Sequence, residues 1–216
     1  MSKLLIIFAQ AAEAQSTLER TGASIKGERA HIWTEGHIPC CYQFDKGLIV
    51  ISNVGLHSAQ MSVSKYAHAC DEVWNFGMAG SLQDEQTIGE ITPIETVDKY
   101  IPIEEETLDT HSQACIAFTI PTLFLPLPCN ENKKGGKLIS SDFPIHTTQH
   151  RERLERKWDL VDMEGYGIAF ASQALGKKCR LWKIISDFAS PEGRELIRKH
   201  RGDLSEKMAD KIMSIL

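Results

Sequence analysis

Lys3-Leu4-Leu5-Ile6-Ile7-Phe8, followed without a break by Ala9-Gln10-Ala11-Ala12-Glu13-Ala14-Gln15-Ser16-Thr17-Leu18-Glu19, passes from a short apolar run into helix-forming composition. A buried strand that feeds a helix is the opening of an α/β fold. The pattern returns further on. Leu48-Ile49-Val50-Ile51-Ser52-Asn53 reads as another buried strand, Gly55 releases the chain, and residues 57–70 have helical character. Glu72-Val73-Trp74-Asn75-Phe76 reads as the next strand, closed by a small-residue loop, Gly77-Met78-Ala79-Gly80-Ser81. Strand patterns resume at Lys137-Leu138-Ile139-Ser140, Leu160-Val161 and Leu181-Trp182-Lys183-Ile184-Ile185, with a helical stretch from Gly165 to Leu175 between the last two. His31-Ile32-Trp33-Thr34 and Cys40-Cys41-Tyr42-Gln43-Phe44 flank Gly36-His37-Ile38-Pro39 and predict a hairpin. Pro191 to Leu216 reads as one amphipathic helix or a broken pair, with Pro191 as an N1-type proline. Residues 99–132 show no clear period, and 129–136 read as an exposed loop. The sum is a largely parallel sheet with antiparallel additions.

At 216 residues, with 42% hydrophobic and 25% charged side chains, the chain matches one ordinary globular domain spanning 1–216. No run approaches the roughly 18 apolar residues of a spanning helix. Acidic and polar residues follow Leu4 to Ala9 too soon for a secretory leader, so a cytoplasmic protein is expected. A net charge of −5 argues against a nucleic-acid binder, and Lys133-Lys134 and the basic stretch Arg151 to Lys157 read as solvated surface. The six cysteines, at 40, 41, 70, 115, 129 and 179, form no CxxC pair and signal neither a metal site nor a disulfide framework. Cys40 and Cys41 should point to opposite faces of a strand.

Three acids stand out by position. Glu13 follows the first strand, Glu164 ends Val161-Asp162-Met163-Glu164 just before a helical pattern, and Asp187 ends Ile184-Ile185-Ser186-Asp187. Open α/β sheets place ligands in the crevice outside such strand ends. A single strand-end acid is more often a helix cap or a surface charge.

Taken together and in order, these blocks resemble the nucleoside phosphorylase and nucleosidase superfamily. The likeness is greatest to the bacterial methylthioadenosine/S-adenosylhomocysteine nucleosidases and the futalosine hydrolases. It rests on Ile6 to Glu13, Trp74 to Ser81, Gly89-Glu90-Ile91, Ser140-Ser141-Asp142, Val161 to Glu164 and Ile184 to Asp187. The resemblance implies a three-layer α/β/α fold around a twisted, mostly parallel mixed sheet, a homodimer, and a small-molecule nucleoside substrate handled without metal or organic cofactor. It assigns Glu13 to activating the attacking water and Asp187 to protonating purine N7. Met163 and Glu164 would hold the ribose, Ala79 and Gly80 would line base and sugar, and Ser186 would orient Asp187. Asp162 resembles an acid beside the site, and Met78 stands where the family carries small residues. In the altered segment Asp142-Phe143-Pro144-Ile145, Phe143 is the candidate to stack on the base.

The chemistry of an N-ribosidic bond suits these roles. It breaks through an oxocarbenium-like transition state, which a carboxylate at the ribose stabilises while an acid at N7 neutralises the leaving purine. Such an acid must hold its proton near neutral pH. Phosphorolysis instead needs a cationic cradle for phosphate, whereas the loop Phe8 to Ala14 carries Glu13 and no Arg or Lys. Hydrolysis is therefore expected. A protonated Asp187 offers one donor and one acceptor, which matches an adenine edge better than a 6-oxo purine. Arg194, Arg198 and His200 would suit an anionic 5′ arm such as that of aminofutalosine, or mark a solvated helix face. A purine nucleoside phosphorylase, or a non-catalytic nucleoside-binding protein on the same fold, stays open at this point.

Overall fold

The computed structural model describes residues 3–25, 40–102, 121–126 and 135–216. The opening strand β1 (Leu4–Phe8) is buried along its whole length and runs into α1 (Ala11–Thr21). That helix ends at Gly22 in the left-handed conformation, with Gly22 N donating to Glu19 O and Ala23 N to Leu18 O, a glycine C-terminal cap. The short β2 (Ser24–Ile25), β3 (Cys40–Phe44) and β4 (Gly47–Ile51) follow. Cys40 is exposed and Cys41 buried, on opposite faces as expected. The strand at 40–44 is present, and its antiparallel neighbours are β4 and β2. The first arm of the expected hairpin lies outside the described residues, as do Cys115, Cys129, Lys133 and Lys134.

Next come α2 (Leu56–Tyr66) with a 3-10 turn at Ala67–Ala69, β5 (Glu72–Ser81), β6 (Ile91–Lys99), β7 (Leu123–Phe124) and β8 (Gly136–Ser140). The chain closes with α3 (Thr148–Leu154), β9 (Leu160–Asp162), α4 (Gly165–Ala174), β10 (Lys178–Asp187) and a single long helix α5 (Gly193–Ile215). Part of the basic stretch at 151–157 belongs to α3, where Arg151 pairs with Asp84. Among the described residues no helix is long and apolar enough to cross a membrane.

The sheet corrects the expectation of a mostly parallel layer. Parallel pairings join β1 to β4, β1 and β10 to β5, β8 to β6 and β9 to β8. Equally many pairings are antiparallel. The path β5–β10–β6–β8–β9 returns to β5 at Gly80↔Val161, so part of the sheet closes into a small barrel. The cause is strand length. β5 and β10 each run for 10 residues, long enough for β5 to pair with β1 near its start and with β9 at its end. β1, β4, β3 and β2 extend from β5 as an open wing.

Alternation along the inner strands separates two cores. Leu5, Ile7, Val50, Val73, Leu181 and Ile185 pack with Ala59 and Val63 of α2 and Ile168 of α4. Ile6, Phe8, Ile49, Trp74, Phe76, Trp182 and Ile184 pack with Leu204, Met208 and Ile212 of α5. Helices α2 and α4 approach closely at Gly167, where a Cβ would lie 2.4 Å from Leu56 O. That approach brings the start of α2 against the end of β9.

Candidate active site

The C-terminal ends of β1, β5, β9 and β10 converge on one cavity of about 390 Å³, within the usual range for a small-molecule site. Glu13, Met78, Ala79, Gly80, Asp162, Met163, Glu164, Ser186 and Asp187 all line it. Phe143 packs instead against Tyr100 and His150, while its successors Pro144, Ile145 and His146 form that part of the wall. Arg194 lines the cavity too, whereas Arg198 and His200 lie further along α5 and are not among the residues of its wall. The small-residue segment Gly77 to Ser81 is the second half of β5 rather than a loop. It stays extended because β10 runs beside it, and two side chains of β10 fill the space that its glycines leave. A Cβ on Gly77 would lie 3.2 Å from Lys183 Nζ, and one on Gly80 would lie 3.0 Å from Asp187 Oδ1.

Each acid is held in its own way. Glu13 sits in the first turn of α1 and caps that turn itself, its Oε2 accepting from Gln10 N at 2.9 Å while its Oε1 accepts from Met78 N at 2.9 Å. Glu13 thus caps its helix and also lines the cavity. Glu164 Oε1 accepts from Gly55 N at the start of α2 (2.9 Å). Asp187 Oδ1 accepts from Ala189 N (2.8 Å), and Oδ2 is 2.7 Å from Ser186 Oγ. Ser186 Oγ also reaches Ala79 O at 3.3 Å. Its single hydroxyl proton therefore has two acceptors to choose between.

Burial decides the electrostatics. Glu13, Asp162, Glu164 and Asp187 are each at most 8% exposed. Burial pushes Glu13 above the ordinary glutamate range, against the opposing hydrogen bonds from Met78 and Gln10 and the charge of Lys183. Glu164 is pushed up to about 8, first by burial and then by the neighbouring Asp162 charge, with Lys183 opposing. Two carboxyls of one cavity thus carry different loads of donors and neighbours, the arrangement that lets one hold a proton while the other accepts one.

Sequence reasoning missed Lys183. Its Nζ is fully buried, 2.7 Å from Asp162 Oδ2 and 2.6 Å from Asn75 Oδ1. A lone lysine within Leu181-Trp182-Lys183-Ile184-Ile185 was the available signal, because a buried lysine requires a partner. Asp162 also accepts from Ser140 Oγ (2.5 Å) and Gly165 N (2.8 Å), so its carboxylate is engaged on the inner side of the site. Val54 and Ile197, also unpredicted, add apolar surface to the outer wall.

Comparison with known proteins now adds the fold. No protein-family model and no curated protein matches the sequence. Solved structures match nearly end to end. A mutant of the Helicobacter pylori nucleosidase MTAN with 5′-methylthioadenosine in its active site has a TM-score of 0.74 at 19% identity, over 99% of this chain and 97% of that one. This chain has the same fold. A mutant of the Helicobacter pylori futalosine hydrolase gives 0.74 at 19% identity, covering 99% and 98% of the two chains. A mutant of the Chlamydia trachomatis MTAN bound to MTA gives 0.72 at 23% identity, covering 100% and 97%. The likeness in fold to these nucleosidases that the residue blocks implied is therefore present, with a partly closed mixed sheet where a mostly parallel layer was expected.

Proposed function

We propose that the protein is an N-ribosyl hydrolase that cleaves adenine from a 5′-modified adenosine. The observation that carries this reading is the meeting around one cavity of Glu13 from the helix start after β1, Glu164 from the helix cap after β9, and Asp187 from the end of β10. Glu13 is the base for water, because its carboxylate is fixed by two backbone N–H groups and faces the site. Glu164, held by Gly55, binds the ribose hydroxyls and stabilises positive charge on the sugar. Asp187, held by Ser186 and Ala189, delivers the proton to N7. Water oxygen bonds to C1′ as the C1′–N9 bond breaks, and the departing base leaves protonated. Ala79 and Gly80 provide the close, flat approach to base and sugar. The structural neighbours support this class, being described as nucleosidases and a futalosine hydrolase.

Hydrolysis is favoured over phosphorolysis by the charges around Glu13. Lys183, a cation whose charge acts on Glu13, is committed to Asp162, and a phosphate beside Glu13 would be repelled. We further propose that the chain is a single cytoplasmic domain acting as a homodimer. Exposed Met61 and Phe170 on the neighbouring helices α2 and α4 supply apolar surface for the subunit contact. Light scattering tests this, and a monomer at working concentration contradicts it. The activity is tested by chromatographic detection of free base from methylthioadenosine, S-adenosylhomocysteine and aminofutalosine, with and without phosphate. Adenine and free sugar in phosphate-free buffer support the reading. A phosphate requirement with ribose 1-phosphate formation favours a phosphorylase, and tight nucleoside binding without turnover favours a binding protein.

A further inference from the structure

Lys183 is a fully buried cation to which the reaction assigns no direct role. An ammonium withdrawn from water is tolerated only with partners, and two are in place, Asp162 and Asn75. Asn75 is itself oriented by donating Nδ2 to Ile7 O at 2.9 Å. The ammonium, Asn75 and Glu13 all border the space beside Gly77. A Cβ at that glycine would lie 3.2 Å from Lys183 Nζ and 3.8 Å from Glu13 Oε1, so the missing side chain leaves the two charges in view of each other. Asp162, with three donors on its carboxylate, stands two residues from Glu164.

We propose that Lys183 and Asp162 form a buried charge pair that sorts the protons of the two glutamates above it, the ammonium holding Glu13 as the ionised base and the aspartate keeping the proton on Glu164 in the unliganded protein. Both act as positioning residues, and the inference rests on reading Glu13 as the base. The hydrogen bonds divide the glutamates in the same sense, since two backbone N–H groups at 2.9 Å hold Glu13 and one holds Glu164. The raised position of Glu164, due first to burial and then to the Asp162 charge, with Lys183 opposing and Glu13 adding, is in keeping with the part given to Asp162.

Among the described residues, Asp187, Arg194 and His146 line the same cavity as the two glutamates, and the elements packed around the pair contribute the following groups. β5 contributes Asn75, α1 contributes Glu13, β9 and the residues after it contribute Asp162 and Glu164, and Cys179 lies on the strand of Lys183 itself. β6 pairs Thr92 in register with Lys183. The buried face of α5 carries no titratable side chain, and that of α4 carries Tyr166, whose hydroxyl reaches Pro121 O.

The test is a carboxyl carbon-13 NMR titration of Glu13 and Glu164 in the wild type, Lys183→Met, Asp162→Asn and the double variant, with the pH profile of kcat/KM beside it. Lys183→Met should move the Glu13 titration up by about one pH unit, roughly a tenfold change in its ionised fraction on the flank of the curve. Asp162→Asn should move Glu164 down by a similar amount. Lys183→Met strands Asp162 without its partner and risks misfolding, whereas the double variant removes both charges together. Comparing the double variant with Asp162→Asn therefore isolates the lysine, and Glu13 should titrate higher in the double variant. Titrations of both glutamates that stay at their wild-type positions in Asp162→Asn and in the double variant overturn the proposal, whatever happens to activity. Titrations that move as expected in a protein without turnover support the charge sorting and count against the hydrolase reading alone.

Discussion

The two walls of the cavity are built differently. The inner wall is made of strand ends, where Glu13, Glu164 and Asp187 each accept a hydrogen bond from a backbone N–H, and Lys183 and Asp162 neutralise each other beside them. The outer wall consists of Val54, residues 144–146 and the stretch from Pro191 to Ile197, most of it outside regular strands and partly exposed. A rigid scaffold fixes groups that must meet a transition state to within a fraction of an ångström, while loops and helix starts vary at low cost. On the proposed reading, bond cleavage belongs to the inner wall and the choice of 5′ substituent to the outer one.

The largest expected effect breaks the inner wall directly. Glu13→Ala or Asp187→Asn should lower kcat by about 10²- to 10⁴-fold with an unchanged circular dichroism spectrum, and wild-type turnover in either variant removes that residue from its role. Next is Gly80→Ala, whose Cβ would meet Asp187 Oδ1 at 3.0 Å and Ala189 N at 3.2 Å. Displacing the acid should cost at least about tenfold in kcat, since misplacement by about 1 Å costs up to about a hundredfold. Unchanged kcat there would mean that the position of Asp187 is not critical.

Glu164→Gln changes how stability depends on pH. The unfolded chain loses this proton near the ordinary glutamate value of 4.5, and the folded protein keeps it to about 8. The wild type therefore has its full stability contribution from this group below 4.5 and loses it as pH rises towards 8. Glutamine removes that loss and can still accept from Gly55. Thermal melts should show the variant gaining on the wild type by several degrees between pH 5 and 8, and a gap that does not change with pH would contradict the buried, protonated carboxyl. Glu13 is also raised above 4.5. As the base it must be ionised, so activity should rise with pH along a limb lying above 4.5. The smallest effect belongs to the outer wall, where Arg194→Ala should change KM by less than about tenfold for one 5′ substituent relative to another and leave kcat nearly unchanged. A collapse of kcat would move Arg194 to the reacting centre.

The same contrast separates what could be read from the sequence from what could not. β1, β4, β5 and β10 were legible because buried parallel strands are near-continuous apolar runs, and their terminal acids stand out against them. The extension of β5 through Gly77-Met78-Ala79-Gly80 was not, because glycine argues for a turn until the neighbouring strand is known to use its empty space. β6 escaped notice because its buried and half-buried residues mix along the strand, and barrel closure depends on pairings distant in sequence. Phe143 looked like the aromatic of the site, yet it turns towards Tyr100 and His150 while Pro144 to His146 face the cavity. A loop's composition does not fix which residue points inward. Lys183 was hidden for the opposite reason, since a charge inside an apolar strand explains itself only when Asp162 and Asn75 are seen beside it.

The proposed reaction is cleavage of an N-ribosidic bond by water at Glu13, Glu164 and Asp187. Its most direct test is free-base release from methylthioadenosine in phosphate-free buffer containing ¹⁸O-labelled water, comparing the wild type with Asp187→Asn. Adenine release and ¹⁸O incorporation into the ribose moiety are expected in the wild type, both falling by about 10²-fold or more in the variant. Cleavage that requires phosphate, or adenine release that the variant retains in full, would contradict it.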